Sequence, residues 1–494
     1  MIKLNYERIR DKIYSCWVGK NIGGTMGGPY EGTKDFVDVQ GFITPKGEPL
    51  PNDDLDLQLI WLRALEEYGA YNLNEKVLGE YWISFIAPYW NEYGTAKCNL
   101  QSGLLPPISG EYRNEQWKRS NGAWIRSEIW ACLTPGFTGI TTKYACMDAC
   151  IDHGMDEGTY AEIFTSTMEC LAFFETDGRK TIDRALESIP GDCRTAKSVK
   201  LVIAEYEKGT EPRAVRDMLI SQNEDMGRFQ APSNVAFVIL GLLYGEFDFK
   251  KSMLTAISCG DDTDCTGATV GAFLGILYGS AGIPDDWKEY IGTSIRTVAL
   301  SADCYDLPPT CDALTDRIMY LMPVVFKANG VNMRFTDGDD ELRNEKLEVV
   351  KEGISYKLFE RSLEGSERFL SRKPYSVLLF DTVYADAILE FEHEPVIAPN
   401  GNIKIKVKLR NKLMDPRHMH MHIYLPDGWS AEYSKDVFMR YYNADFDVVK
   451  EEYDIWEATI TAGERVESVN KIVIEADPAC RAMCGTATVK ILGV

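Results

Sequence analysis

The sequence predicts a mainly α-helical protein that ends in a β-rich region. Apolar residues follow the helical period as far as about residue 328, as in Leu55, Leu59 and Leu62. Beyond that point, short stretches alternate between apolar and polar residues, which is the period of a half-buried strand. The 494 residues, of which 45% are hydrophobic and 26% charged, are enough for two or three folded domains.

We therefore expect a helical domain over residues 1–330, a connector with strands over 331–390, and an immunoglobulin-like β-sandwich over 391–494. Helix ends are marked by Asn52 before an acidic turn and by Gly69 after an apolar run. The predicted strands are separated by turn residues and comprise Ser376–Phe380, Ile403–Leu409, His420–Tyr424, Lys471–Glu475 and Thr488–Leu492.

Charge and cysteine content restrict the partners and the compartment. The net charge of −22 disfavours nucleic acid and membrane surfaces, and so favours a small-molecule substrate. Residues 1–20 carry charges throughout and do not resemble a signal peptide, and the thirteen scattered cysteines fit reduced thiols. We expect a cytoplasmic protein. The apolar run 267–283 is short for a bilayer span and is interpreted as a buried helix.

Two acidic clusters each open a predicted helix, at Asn52-Asp53-Asp54-Leu55-Asp56 and at Gly260-Asp261-Asp262-Thr263-Asp264-Cys265. Aspartates at a helix start often serve only as caps. The second helix, however, carries glycines at every fourth position, Gly267, Gly271, Gly275 and Gly279, which lets another backbone approach closely. This helix is therefore expected at the centre of the bundle, where unpaired carboxylates are costly without a cation.

A glycine-rich segment near the N-terminus is not a nucleotide-binding loop, because it has no GxxxxGK[ST] pattern and follows a helical pattern. Gly19, Gly23 and Gly27 are instead expected to continue one tightly packed helix. Glu31 then lies in the loop beyond that helix, where a carboxylate is ordinarily solvated.

Four segments in this order resemble the ADP-ribosylglycohydrolase family, which includes the dinitrogenase reductase-activating glycohydrolases. They are the glycine-rich helix ending in Gly28-Pro29-Tyr30-Glu31-Gly32, Asn52-Asp53-Asp54, Ser120-Asn121-Gly122-Ala123-Trp124-Ile125-Arg126, and the cluster at 260–265 with its glycine-striped helix. The resemblance covers about residues 10–290 and does not extend to the β-rich tail.

The resemblance implies an all-α orthogonal bundle that holds one or two Mg²⁺ ions, with Mn²⁺ or Ca²⁺ as substitutes. The implied metal ligands are Asn52, Asp53, Asp54, Asp262, Asp264 and Cys265. Asn52 and Cys265 stand where the family has threonine, and a sulfur ligand is poor for magnesium. The implied catalytic residues are Glu31 as acid or gate, and Asp54 or Asp262 as the group that activates water.

The third segment implies a substrate-binding role for Asn121, Gly122, Ala123, Trp124 and Arg126, and His153 is added as a residue that could line the pocket. Trp124 replaces a small residue of the family pattern and could reshape the pocket. Aromatic residues are dense around this segment, and most are expected in the core, although some could stack on a sugar or adenine face.

The expected function is metal-dependent hydrolysis of a ribosyl N- or O-glycosidic bond, most simply that of an ADP-ribosyl group. The alternatives are a glycosidase for another furanoside or an oligosaccharide, and a non-catalytic ligand-binding member of the fold. The expected partner is a small-molecule or ADP-ribosylated substrate, with a carbohydrate as the alternative. Self-association is left open.

In the tail, His418, His420 and His422 alternate along a predicted strand and so lie on one face. This spacing is able to bind a transition metal. Because no carboxylate or cysteine cluster is adjacent in sequence, we interpret the three histidines as a polar strand face.

Overall fold

The computed structural model describes residues 1–301, 304–341, 376–381, 385–412, 416–440, 453–479 and 484–494. Helices occupy the N-terminal part and strands the C-terminal part, which confirms the predicted fold class. The chain divides into two compact units. One comprises residues 1–73, 85–95 and 110–358, and the other comprises residues 74–84, 96–109 and 359–494. Most of the predicted connector lies outside the described residues.

The helices are α1 Tyr6–Gly27, α2 Asp53–Tyr68, α3 Glu75–Phe85, α4 Asn91–Gln101, α5 Ile108–Glu111, α6 Glu128–Leu133, α7 Thr138–His153, α8 Glu157–Ala172, α9 Gly178–Ala185, α10 Arg194–Lys208, α11 Pro212–Gln222, α12 Ala231–Tyr244, α13 Phe249–Ser258, α14 Thr263–Tyr278, α15 Asp285–Ile291 and α16 Cys311–Ala328. The predicted limits of α2 are confirmed. The Oδ1 of Asn52 accepts the amide of Asp54 at 2.8 Å, and Gly69 ends the helix at a φ of 77°.

Helices α1 and α14 run antiparallel along a seam of glycines. A Cβ on Gly19 would lie 2.1 Å from the carbonyl oxygen of Gly271, and one on Gly23 would lie 2.0 Å from that of Gly267. Since real Cβ atoms do not approach oxygen so closely, only glycine allows this backbone contact. The seam joins the end of α1 to the start of α14.

The apolar run 267–283 begins within the buried part of α14, as the sequence predicts. Within the described part of the chain, no helix combines the length and apolar character needed to cross a membrane.

A short parallel pair that the sequence did not predict joins β1 Ile2–Asn5 to β2 Met333–Thr336. Four residues are too few for alternation to be recognised without the partner strand.

The remaining strands form two five-stranded sheets in the described residues, with orders β3-β4-β6-β10-β8 and β5-β12-β11-β7-β9. Their inner faces are apolar, through residues such as Val407 on β6 and Ile474 on β11. All five predicted strands are present, and the strands are β3 Ser376–Asp381, β4 Ala385–Phe391, β5 Val396–Ile397, β6 Asn402–Asn411, β7 Arg417–Tyr424, β8 Ser430–Tyr433, β9 Asp436–Met439, β10 Asp454–Thr461, β11 Val469–Pro478 and β12 Gly485–Gly493.

Candidate metal and catalytic centre

The loop after α1 is fastened to the loop before α14 by two backbone hydrogen bonds. The amide of Gly32 donates to the carbonyl of Asp261 at 2.8 Å, and the amide of Asp261 donates to the carbonyl of Thr33 at 2.8 Å. The Asp261 side chain accepts from Arg228, Phe229 and Asn234. Asp261 thus holds the loop in place, while its neighbours Asp262 and Asp264 stand beside Glu31.

Two groups of potential ligand atoms lie in this region, each with its atoms within 4.8 Å of one another. One group contains Glu31, Asp262 and Asp264, and the other contains Asp54, Asp264 and Cys265. Asp264 belongs to both groups, and its buried Oδ1 has no hydrogen-bond partner. The structure therefore places Glu31 near the start of α14, and the start of α14 near the start of α2.

The crowding of carboxylates favours their neutral forms. Burial, followed by the charges of Asp264 and Asp53, raises the pKa of Glu31 to about 7. Burial and Asp264 also raise the pKa of Asp53 to about 6, although Tyr93 donates to Asp53 Oδ2 at 3.0 Å. Burial and Asp264 raise the pKa of Asp262 well above its usual value. A divalent cation would offset this repulsion, so these residues fit a hard-cation site.

Asp54 has protein donors near both oxygens. The Cys265 thiol donates to Oδ1 at 3.3 Å, and the ammonium of Lys20 lies 3.9 Å from Oδ2. Lys20 is 1% exposed and donates to Glu128 at 2.8 Å and to the carbonyl of Ile125 at 2.7 Å. The sequence did not predict a role for Lys20. The signal that could have indicated one is a single lysine within a helical stretch of glycines and apolar residues.

Two further residues of the first cluster are engaged by the backbone. Asn52 uses its Oδ1 to cap α2, so metal binding through that oxygen would compete with the cap. Asp56 accepts the amides of Val298 and Ala299 at 2.6 Å each. Asp56 therefore fastens a loop in the same way as Asp261.

The Asn121 segment supports the centre from one side. Asn121 donates through Nδ2 to Asp262 at 2.6 Å, and its Oδ1 accepts the indole N–H of Trp124 at 3.0 Å. Gly122 packs against Glu92: a Cβ there would lie 2.3 Å from Oε1 of Glu92, so the Glu92 side chain would have to shift. Trp124 and the neighbouring Ala123 are fully buried, so Trp124 orients Asn121 from the interior.

Arg126 and His153 belong to an interior ion network. Both side chains are 0% exposed. Arg126 donates to Asp148 at 2.8 Å and to both oxygens of Asp152, and Nε2 of His153 lies 3.4 Å from Asp152. Burial lowers the pKa of His153. These contacts give both residues a structural role, and their assignment to substrate binding stays a prediction.

The fold and this centre define a mainly helical protein whose acidic site lies where two helix starts and the end of a third helix meet. Comparison with known families identifies the class. The sequence profile of the ADP-ribosylglycohydrolase family matches residues 5–314, so the chain belongs to this family.

A curated relative is ADP-ribosylarginine hydrolase Tri1 of Pseudomonas putida (strain GB-1), which is 32% identical over 230 residues. The match covers 46% of this chain and 57% of Tri1, so the chain spans little more than half the length of this relative. A solved ADP-ribosylglycohydrolase-related protein complex is 18% identical, with a TM-score of 0.42, over 65% of this chain and 99% of that chain. A FixG-related protein from Vibrio parahaemolyticus is 7% identical, with a TM-score of 0.18, over 22% of this chain and 95% of that chain. Both TM-scores are too low to support a conclusion.

Proposed function

We propose that this protein is a divalent-cation-dependent glycohydrolase that cleaves the bond between an ADP-ribosyl group and its acceptor. The observation that carries the proposal is the pair of ligand groups that share Asp264 beside Glu31, in a chain that belongs to the ADP-ribosylglycohydrolase family.

We propose that Asp53, Asp262 and Asp264 hold the cation. Asp262 and Asp264 share a ligand group, and, besides burial, the charge of Asp264 helps to raise the pKa of Asp53. Magnesium is the first choice because the donors are carboxylate oxygens. A bound cation would supply positive charge to stabilise developing negative charge and would help position hydroxyl groups and water. Cys265 is a poor magnesium ligand, and its thiol donates to Asp54, so we propose that it acts as a hydrogen-bond donor.

Glu31 is the exposed member of its ligand group, while Asp262 is buried. We assign Glu31 the role of general acid, because it is the carboxyl group that a leaving group can reach from solvent. Asp262 is held by Asn121 at 2.6 Å, which orients its carboxylate to accept a proton from an attacking water. Asp54 is covered by Lys20 and Cys265, and we assign it an electrostatic role.

An exposed tryptophan lies near the centre. Trp90 is 50% exposed, and its ring centroid lies 6.4 Å from that of Tyr93, whose hydroxyl donates to Asp53. A flat substrate group, such as adenine or a guanidinium, could stack on Trp90. Trp124 gives no support to the alternative of another furanoside or an oligosaccharide, because its buried ring only orients Asn121.

The name of the curated relative makes ADP-ribosylarginine the first substrate to test. The experiment measures hydrolysis of ADP-ribosylarginine, O-acetyl-ADP-ribose and a furanoside panel, with and without Mg²⁺. We expect Mg²⁺-dependent release of ADP-ribose, a loss of about 100-fold or more in kcat for Glu31→Gln, and little change for the exposed control Glu289→Gln. Turnover of furanosides alone would contradict the proposed substrate class.

A further inference from the structure

We propose that the sandwich carries a separate transition-metal site, formed by His420 and His422 of β7 together with Glu475 and Asp477 of β11. The site lies on the outer face of the sheet β5-β12-β11-β7-β9, and its expected metal is Zn²⁺. It does not depend on the proposed glycohydrolase function.

The strand register brings the four side chains together. Strands β7 and β11 are antiparallel, with His422 opposite Glu475 and His420 opposite Asp477. Residues directly opposite in such a pair have Cβ atoms about 4.5–5.5 Å apart, and residues two apart on one strand share a face. The Cβ atoms of two histidines and two acidic residues therefore occupy the corners of one rectangle on the outer face.

The register is fixed by the sandwich core. Met419 and Met421 on β7 and Ile474 on β11 are at most 2% exposed. A slip of one residue would turn these apolar side chains to solvent, so the histidines are held on the outer face. His420 and His422 are exposed there.

A third strand orients one of the proposed ligands. His420 is also opposite Asp436 of β9, and Nδ1 of His420 contacts Oδ1 of Asp436. A carboxylate at one imidazole nitrogen fixes the ring and raises the basicity of the other nitrogen, as in carboxylate–histidine–zinc sites. The Nε2 of His420 is therefore the ligand atom.

A soft donor lies at the edge of the same rectangle. Cys484 immediately precedes Gly485, which is opposite Ala476, the residue between Glu475 and Asp477. The Cys484 side chain is exposed. Imidazole and thiol donors favour Zn²⁺ over Mg²⁺, in contrast to the oxygen donors of the helical centre.

Two of the proposed ligands contact Tyr424, and metal binding would replace these contacts. The Tyr424 hydroxyl lies 3.3 Å from Glu475, and the rings of His422 and Tyr424 have centroids 4.3 Å apart. The contact between Tyr424 and Glu475 is exposed. His418 packs against Phe438, with ring centroids 5.0 Å apart, and is not included in the site.

The test titrates ZnCl₂ into the full-length protein without an affinity tag. Isothermal calorimetry and competition with a chromogenic zinc indicator are performed in excess Mg²⁺, and on an Asp262→Asn background as well. We expect one zinc per chain on both backgrounds. The double variant His420→Ala/His422→Ala should lose about 100-fold or more in affinity, and Asp436→Asn about 10-fold.

The matched control is His393→Ala, which removes an exposed histidine located outside β7 and should retain the wild-type affinity. Circular dichroism checks that each variant is folded, and Asp477→Asn provides an independent ligand variant. Equal zinc affinity in the wild type, the control and the double variant would overturn the proposal. A stoichiometry of half a zinc per chain would also overturn it, because the metal would then join two copies.

Discussion

Replacing Lys20 by methionine tests whether the buried ammonium balances the acidic interior beside the candidate centre. Methionine keeps most of the length and apolar character of the side chain and removes the charge. In the native protein the ammonium donates to Glu128 at 2.8 Å and lies 3.9 Å from Asp54. Lys20→Met leaves both carboxylates buried without this cation.

The expected loss in the free energy of unfolding is about 3–5 kcal/mol, the typical cost of removing one partner from a buried ion pair. The charges of Glu128 and Asp54 raise the pKa of Lys20 above its usual 10.5, in spite of its burial. A raised lysine pKa means that the stabilisation is fully present below about 10.5 and is lost only above it. The protonation of Lys20 itself therefore does not change between about pH 5 and pH 8.

Burial already raises the pKa of Glu128 above its usual 4.5 in the native protein, where Lys20 opposes this shift, so the stability of the variant should depend more steeply on pH over that range. Without the ammonium, Glu128 must keep a proton when folded, while the unfolded chain releases it near the usual pKa of 4.5. Stability of Lys20→Met should then fall as pH rises from about 5 to 8. Urea unfolding at both pH values, in the absence of divalent cations, measures the effect.

The double variant Lys20→Met/Glu128→Gln is the control. It removes the uncompensated charge, and Gln58, which donates to Glu128 at 2.8 Å, can still donate to the new amide. We expect it to recover about half of the loss. A loss below about 1 kcal/mol, or a loss that is independent of pH and is not rescued, would refute this account of Lys20.

Three further variants test the centre, the seam and a buried acid. Asp264→Asn should weaken Mg²⁺ binding in calorimetry by about 100-fold, because both ligand groups share this carboxylate. The control Asp285→Asn, at the exposed start of another helix, should not weaken it. Equal losses of Mg²⁺ affinity in the two variants would contradict the proposed site. Gly23→Ala places a Cβ 2.0 Å from a carbonyl oxygen of α14 and should lower the free energy of unfolding in urea by about 3 kcal/mol or more. The control Gly191→Ala, where the nearest atom lies 3.5 Å from the new Cβ, should change this free energy little. Burial and a nearby carboxylate raise the pKa of Glu92 to about 8, so stability falls as pH rises from about 4.5 to 8. Glu92→Gln should raise stability at pH 7 by about 1–3 kcal/mol, and a gain that persists below pH 4 would contradict this cause.

The sequence predicted those features of the helical unit that depend on residues close together in the chain. The glycines of α14 predicted a closely packed central helix, and Asn52 predicted the start of α2. Both are properties of one segment and its period. The resemblance then added Glu31 and Asp262 as members of one site, and the structure places Glu31, Asp262 and Asp264 in one group.

Features that depend on partners distant in sequence were not predictable in this way. Lys20 is an interior cation only because α1 brings it beside Glu128, which lies 108 residues away. Similarly, the sequence favours a polar strand face for His420, because no carboxylate or cysteine cluster is adjacent to it in sequence. The neighbouring strands supply Asp436 and Asp477.

The glycine seam also sets the distances between Glu31 and the aspartates at the start of α14. A slide of α14 by one residue along its axis would move Asp262 and Asp264 by about 1.5 Å relative to Glu31. Metal–ligand distances tolerate only about 0.2 Å. Backbone contact at Gly19 and Gly23 therefore fixes the relative positions of the carboxylates at the ends of the two helices. Variants that lose cation affinity while every ligand is intact should be sought among residues of the seam.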